Sequence, residues 1–319
     1  MGNYIIRKVL TLIPMMLVIS FLIYLGMELM PGDAIDFLIP PDALSTMSPE
    51  QLNAMREALG LNDPFFLRYL KWLVGILHGD FGYSLQSGVP VLTLMKNHLP
   101  ATIELTFTAL VMSSVFGILL GVISALKKGT ILDQILSVLG MVGVAIPQFL
   151  LGLIFIDAFA LHNSILPVGG RMAYAGQNFI QRLPYLIMPA TVLGFALTAG
   201  VMRYGRSSML DSMGHDYMKT ARSKGLPEWR VNLLHGLRAA MTPVVVLIGF
   251  RLPMLIGGAV VVEEVFQWPG IGVLFVSAVR SQNTPLVMII GFFSVLMVLI
   301  ASIVVDIITA MLDPRIKLS

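Results

Sequence analysis

Long apolar stretches separated by short polar segments dominate the chain. A helix needs about 20 consecutive apolar residues to cross the hydrocarbon core of a bilayer. Six stretches qualify, and we predict a transmembrane helix in each: 9–30, 99–126, 131–160, 183–208, 239–262 and 286–312. Pro147 interrupts the third stretch and Pro189 the fourth, which neighbouring helices in a membrane protein can accommodate. The pattern therefore predicts an all-α membrane protein with six transmembrane helices.

Composition favours a membrane protein over a soluble one. The 319 residues are 56% hydrophobic and 12% charged, with a mean hydropathy of +0.85, whereas a soluble domain is about a quarter charged. The absence of cysteine excludes disulfides and thiolate metal sites. The net charge of +3 is small and the basic residues are clustered, so the expected partner is the lipid bilayer and not nucleic acid. The first apolar stretch is too long for a cleaved signal peptide, so we expect a retained span.

Lysine and arginine near the ends of the spans predict which side of the membrane each loop occupies. One side carries most of them: Arg7, Lys8, Lys127, Lys128, Arg203, Arg206, Arg238, Arg315 and Lys317. We assign that side to the cytoplasm, with the N-terminus 1–8, the loop 209–238 and the tail 313–319. Both termini are then cytoplasmic, and the segments 31–98 and 263–285 are external.

The external segment 31–98 has helical signals. Ser48-Pro49-Glu50-Gln51 is a capping box with proline at the first helical position, and Gly60 suits the helix C-terminus. A second short helix is predicted from Pro64 to Gly75, and it would expose four aromatic side chains: Phe65, Phe66, Tyr69 and Trp72. One interpretation is a cap packed on the membrane surface. The other is that Phe65, Tyr69 and Trp72 also receive a soluble, substrate-delivering protein; the two interpretations are compatible.

The sequence contains no recognisable catalytic set. It lacks a phosphate-binding loop, a His-Glu-x-x-His zinc motif and a Gly-x-Ser-x-Gly nucleophile elbow. The five histidines are scattered, so a metal site is not expected. We therefore predict no catalytic residue, no metal and no bound cofactor on this chain.

Arg251 is the most informative charge within the spans, because it lies near the middle of the fifth one. Burying an arginine in lipid is costly, so such residues pair with neighbours or line a path. One interpretation is a structural ion pair, and the other is a pore-lining cation that meets an anionic group of the cargo. Gly257 and Gly258 in the same span allow close helix packing and would also leave room for cargo.

The loop between the fourth and fifth spans is basic and has helical content. Met218 and Ala221 share one helical face, and Arg222 and Lys224 enrich the last turn, where positive charge suits the helix dipole. Gly225 is typical of a helix C-terminus and the proline that follows it of a new start. The loop is therefore predicted to form helix, glycine turn and helix. From periodicity alone, it is either a docking surface for a soluble partner or a connector lying on the anionic inner leaflet.

The loop also has a recognisable relative. Residues 217–226, Tyr-Met-Lys-Thr-Ala-Arg-Ser-Lys-Gly-Leu, resemble the coupling loop of binding-protein-dependent ABC importer permeases, in particular the first permease subunit of the branch that imports dipeptides, oligopeptides and nickel. Ala221 and Gly225 match the general signature Glu-Ala-Ala-x-x-x-Gly. Lys219 and Thr220 depart from it, as is common in the peptide branch.

Further motifs extend this resemblance over almost the whole chain. They are Pro31-Gly32-Asp33, Asp80-Phe81-Gly82-Tyr83-Ser84, Leu99-Pro100-Ala101-Thr102, Gly258-Ala259-Val260-Val261-Val262-Glu263 and Phe266-x-Trp268-Pro269-Gly270-x-Gly272. Around residues 281–285 the branch usually has Arg-Asp-x-Pro, and this chain keeps only Pro285.

The resemblance implies a type I ABC importer permease of a bacterial or archaeal plasma (inner) membrane. It would pair with a second, homologous permease and with two ATPase subunits that hold ATP and Mg, and an external binding protein would deliver cargo. The ATPase contact would be made by Asp216, Tyr217, Lys219, Thr220, Ala221, Arg222, Lys224, Gly225 and Leu226. The expected cargo is a di- or oligopeptide.

Other functions compete with this one. The same kind of importer could carry nickel, a metal chelate or another small solute. A six-span channel or ion-driven carrier would need a cluster of convergent polar groups, which the sparse charges of the spans do not supply. An intramembrane enzyme would need paired catalytic residues, which are missing.

Overall fold

The protein is described by a computed structural model. It describes residues 2–29, 35, 39, 43, 46–58, 60–172, 176 and 178–312. The sequence motif at 31–33 and the tail 313–319 lie outside the described residues.

Helices make up the regular structure of the described residues, apart from an isolated bridge between Tyr83 and Pro90. In chain order the helices are α1 (Gly2–Glu28), α2 (Pro49–Ala58), α3 (Phe65–Leu77), α4 (Val91–Leu126), α5 (Ile131–Ala145), α6 (Gln148–Phe155, continued by a π-helix Ile156–His162), α7 (Phe179–Gly214), α8 (Asp216–Ser223), α9 (Glu228–Arg230, continued by a π-helix Val231–Gly236), α10 (Leu237–Val265), α11 (Ile271–Arg280) and α12 (Thr284–Leu312).

Each predicted span overlaps one or more helices of the described residues. Five described helices are long and apolar enough to cross a membrane, or six when α5 and α6 count as one bent span. The bend between them measures 105° and falls at the predicted interruption, since Pro147 has no N–H group and forces Ile146 into an extended conformation. The predicted interruption at Pro189 is absent: α7 runs through this residue, which is buried.

The chain divides into two compact units, each with its own core. The first comprises 101–269 and 298–319, and the second 2–100 and 270–297. In the first unit Trp268 is fully buried and donates from Nε1 to the Ala101 carbonyl at 2.8 Å. Small residues bring α4 against α7, because a Cβ on Gly121 would lie 2.7 Å from the Met202 carbonyl oxygen. Gly117 and Gly121 are four residues apart on α4, a spacing of small residues that allows two helices to approach closely.

In the second unit the predicted local signals are confirmed. The backbone N–H of Ser48 donates to Gln51 Oε1 at 2.9 Å, and that of Gln51 donates to Ser48 Oγ at 3.3 Å, which is the capping box of α2. Gly60, just beyond α2, has a φ of +67°. Helix α3 begins after Pro64, as expected, and continues two residues past Gly75.

Candidate functional site: the coupling loop and its supports

The loop between α7 and α10 forms the predicted helix, glycine turn and helix. Helix α8 starts after His215, which is extended, and stops at Lys224. Gly225 then takes a φ of +72°, a conformation that side chains other than asparagine and aspartate rarely adopt. Pro227 precedes the next helix, where its fixed φ suits a helical start.

One face of α8 is buried. Met218 is fully buried and Ala221 is 6% exposed. Together with Val231 they form a buried cluster, against which Met213 and Leu226 pack. The predicted pairing of Met218 with Ala221 on one face is therefore confirmed. The face rests on the chain's own neighbouring helices, α7 and the π-helix that leads into α10.

The opposite face of α8 is polar and exposed. It presents Asp216, Lys219, Thr220 and Arg222, followed by Lys224 in the turn. Local ion pairs order it: Lys219 Nζ lies 2.9 Å from Asp216 Oδ1, and Arg222 Nε donates to Glu228 Oε1 at 2.9 Å. Because both pairs are solvent-exposed, they contribute about 1 kcal/mol or less to stability and remain available to a partner.

Hydrogen bonds join Tyr217 of α8 to the end of α7, and the end of α7 to the π-helix that precedes α10. Ser212 Oγ donates to the Gly236 carbonyl at 2.8 Å, so the hydroxyl of Tyr217, 2.7 Å away, is the donor to Ser212. A Cβ on Gly236 would lie 3.1 Å from the terminal methyls of both Met209 and Met218. The end of α7, helix α8 and the start of α10 are thus packed into one continuous assembly.

An ion pair that the sequence analysis missed supports this assembly. Arg206 on α7 donates to both carboxylate oxygens of Asp133, at 2.7 and 2.9 Å. Ser124 Oγ and the Gly129 backbone N–H also donate to Asp133, at 2.5 and 3.0 Å. The buried carboxylate therefore joins α4, α5 and α7. Seventy-three residues separate Arg206 from Asp133, and no local pattern links them.

Arg251 lies within α10, and its side chain is partly buried. It packs across α7 at Gly200, where an added Cβ would lie 3.1 Å from Arg251 Nη2. The surroundings of Gly257 and Gly258 fall outside the described residues. A pore-lining role for all three residues stays a prediction.

Phe65, Tyr69 and Trp72, the aromatic residues predicted to be exposed for external docking, are buried or partly buried. Tyr69 is 7% exposed, and Phe65 and Trp72 are partly buried. Their rings pack against Phe21 and Tyr24 of α1. The expected exposure of these three side chains is therefore wrong, because the helical face that carries them is the one that α1 covers.

These features define a helical membrane protein with a short helix between two spans, one face of which is buried while the other is polar and exposed. The chain belongs to the family of binding-protein-dependent transport system inner membrane components, which it matches over residues 117–318. Residues 1–106 match the N-terminal region of such membrane components. The predicted family membership is thereby confirmed.

Among particular relatives, the oligopeptide transport system permease protein AppB of Bacillus subtilis is 39% identical, over 99% of this chain and 100% of that protein. The glutathione transport system permease protein GsiC of Escherichia coli K12 is 35% identical, over 99% of both chains. Both alignments therefore cover 99% of this chain.

Solved structures show the fold. A chain of the MetNI methionine ABC transporter, in inward-facing conformations, superposes with a TM-score of 0.55 at 17% identity, covering 70% of this chain and 98% of that one. A chain of an amino acid ABC transporter gives a TM-score of 0.51 at 18% identity, covering 69% and 94%. The predicted fold class, an all-α membrane protein of the type I ABC importer permease kind, is confirmed.

Proposed function

We propose that this permease forms half of the translocation path of an ATP-driven peptide importer, and that α8 is the element by which an ATPase subunit moves it. The main observation in support is that one face of α8 is buried and the opposite face is exposed. Its apolar side is buried on the chain's own helices, with Met218 fully enclosed, while its polar side is exposed. A helix that only connected two spans would not require both features.

The contacts of α8 suggest how motion passes into the membrane. An ATPase groove would hold the exposed residues between Asp216 and Gly225, whereas Ala221 and Leu226 pack against the chain's own helices. Because Met218 and Met209 meet at Gly236, a displacement of α8 pushes on the end of α7 and the start of α10 together. Closely packed side chains transmit such displacements because they cannot be compressed.

Peptides are the proposed cargo. The relatives described above are named as oligopeptide and glutathione permeases, and glutathione is itself a small peptide. These names favour peptides over nickel or a metal chelate. A free peptide carries a terminal carboxylate, and in this proposal Arg251 lines the path and meets that carboxylate.

The remaining parts belong to other chains in this proposal. A second homologous permease completes the path, two ATPase subunits bind ATP and Mg on the cytoplasmic side, and an external binding protein delivers peptide. This chain would carry no catalytic residue and no cofactor. The lysine and arginine distribution supports cytoplasmic termini.

Reconstitution tests the proposal. The chain is assembled with its second permease and ATPases in proteoliposomes, and ATP hydrolysis and peptide uptake are measured with and without loaded binding protein. We expect the loaded binding protein to stimulate both activities. Uptake that needs an ion gradient and ignores ATP would overturn the proposal in favour of a carrier.

Cross-linking tests the docking helix separately. Because the chain has no cysteine, Lys219→Cys introduces a single thiol on the exposed face of α8. We expect it to cross-link to an ATPase subunit. Lys96→Cys, at an exposed position on α4 that is predicted to be external, is the matched control and should give no such product.

A further inference from the structure

Helix α3 has two apolar faces, and among the described residues only one of them is covered by other parts of the chain. The covered face carries Phe65, Tyr69 and Trp72 against α1, and Trp72 also meets Phe292 of α12 at 6.1 Å between ring centroids. The other face is exposed to an unusual degree for a helix of 13 residues. Its members are Phe66 (66% exposed), Leu67 (43%), Leu70 (52%), Val74 (50%) and Leu77 (77%).

The depth of α3 along α1 identifies the surroundings of this face. The apolar span of α1 is Leu10–Glu28, which at 1.5 Å per residue is about 28 Å, close to the thickness of a hydrocarbon core. The Tyr69 hydroxyl reaches the Leu17 carbonyl at 3.2 Å and Ser20 Oγ at 2.9 Å. Leu17 lies about 16 Å from the Glu28 end of the span. The contacts of α3 with α1 therefore run from Leu17, near the middle of the span, to Glu28 at its end.

Both charged side chains of α3, Arg68 and Lys71, form ion pairs, as charged groups close to the hydrocarbon core of a membrane usually do. Arg68 forms an ion pair with Glu28 and also donates to the Asp63 carbonyl at 3.1 Å. Lys71 Nζ lies 2.6 Å from Asp63 Oδ2. Lys71 remains 63% exposed, and its long aliphatic stem allows the amine to reach the headgroups while the rest of the helix lies deeper.

The exposed apolar surface is also continuous with that of α1. The ring of Phe66 stacks on Phe21 with centroids 6.0 Å apart, and the adjoining Leu22 is 56% exposed. We propose that α3 is a membrane-embedded amphipathic helix whose free face is covered by acyl chains of the leaflet at the Glu28 end. It anchors the segment between the first two spans in the membrane, with a polar edge at Arg68 and Lys71.

Site-directed spin labelling tests this in the assembled importer in lipid nanodiscs. Leu70→Cys and Val74→Cys place nitroxides on the free face, Lys71→Cys is the matched control on the polar edge, and Asn53→Cys on α2 is the aqueous reference. We expect oxygen, which concentrates in lipid, to be the more effective relaxant at residues 70 and 74. A water-soluble nickel chelate should be the more effective relaxant at residue 53. At residue 71 the ratio of the two relaxation effects should be intermediate. Co-purification of the ATPases checks that each variant assembles.

Alkylation by a membrane-impermeant maleimide gives a second readout. We expect it to be about tenfold or more slower at residues 70 and 74 than at 53, since apolar surroundings disfavour the reactive thiolate. Two results would overturn the proposal. Strong relaxation by the nickel chelate with rapid alkylation at residues 70 and 74 would place the face in water. Weak relaxation by both reagents would show that a protein partner covers it.

Discussion

Arg206 holds the buried carboxylate of Asp133 with two N–H groups, at 2.7 and 2.9 Å, and thereby joins α7 to the start of α5. Asp133 is 6% exposed at its side chain and Arg206 29%. The pair lies in the same unit as the proposed docking helix, and Arg206 is on α7, the helix that leads into it.

Removing one partner of this ion pair should lower the stability of the permease. We expect Arg206→Ala to lower the free energy of unfolding by about 3 kcal/mol, because it leaves a buried carboxylate without its counter-ion. The apparent melting temperature of the purified permease in detergent measures the loss. Arg203→Ala, at an exposed position one turn away, is the control; equal losses in the two variants would contradict a specific role for the pair.

The left-handed backbone conformation of Gly225 can be tested without introducing a steric clash. At φ +72° an added Cβ meets nothing within 4 Å, so substitution acts by strain and not by collision. We expect Gly225→Val to cost about 1–2 kcal/mol and to reduce both ATPase co-purification and binding-protein-stimulated ATP hydrolysis. Asparagine tolerates a left-handed conformation, so Gly225→Asn should retain most of the ATPase co-purification and most of the stimulated ATP hydrolysis. Unchanged values of both in the valine variant would contradict a role for the Gly225 turn in coupling.

The buried side of α8 gives a packing test. Met218→Ala opens a cavity beneath the helix, and large-to-small core changes cost about 2–5 kcal/mol. We expect α8 to loosen and peptide uptake per ATP hydrolysed to fall. Met218→Leu conserves volume and should cost less than about 1.5 kcal/mol. If the alanine variant takes up as much peptide per ATP hydrolysed as the unaltered protein, then close packing beneath α8 is not needed for coupling.

Asn283 replaces the aspartate that is usual in the peptide branch, yet it holds a buried position. Its Nδ2 donates to Ser84 Oγ at 2.7 Å, and its Oδ1 accepts from the Leu85 N–H at 3.2 Å. We expect Asn283→Ala to lower the free energy of unfolding by about 1–3 kcal/mol. Asn283→Asp should cost less, because the Ser84 hydroxyl can turn and donate. Thermal melting compares them, and a larger loss in the aspartate variant would refute this account.

Arg251 offers a test of the cargo path. We expect Arg251→Ala to reduce uptake of peptides with a free C-terminal carboxylate more than uptake of C-terminally amidated ones, and Arg251→Lys to restore part of the difference. Gly200→Ala, which adds a Cβ 3.1 Å from Arg251 Nη2, should mimic a displaced guanidinium. Equal effects on both classes of peptide would indicate a structural role.

Features that depend on neighbouring residues were predictable from the sequence. The capping box at Ser48, the turn at Gly225 and the bend at Pro147 follow from backbone chemistry within a few residues. Apolar length likewise indicated where the spanning helices lie, since a bilayer imposes a length that can be counted along the chain.

Only the tertiary structure decided which residues meet across the chain and which face of a helix is covered. The Asp133–Arg206 pair and the Ser84–Asn283 pair join residues 73 and 199 positions apart, and no periodicity specifies a partner at such separations. Helix α3 is apolar on two sides, so its sequence alone could not say that Tyr69 faces α1 while Leu70 faces away. That choice depends on the shape of the α1 surface, where the aromatic rings and the Ser20 hydroxyl complement one face of α3 alone.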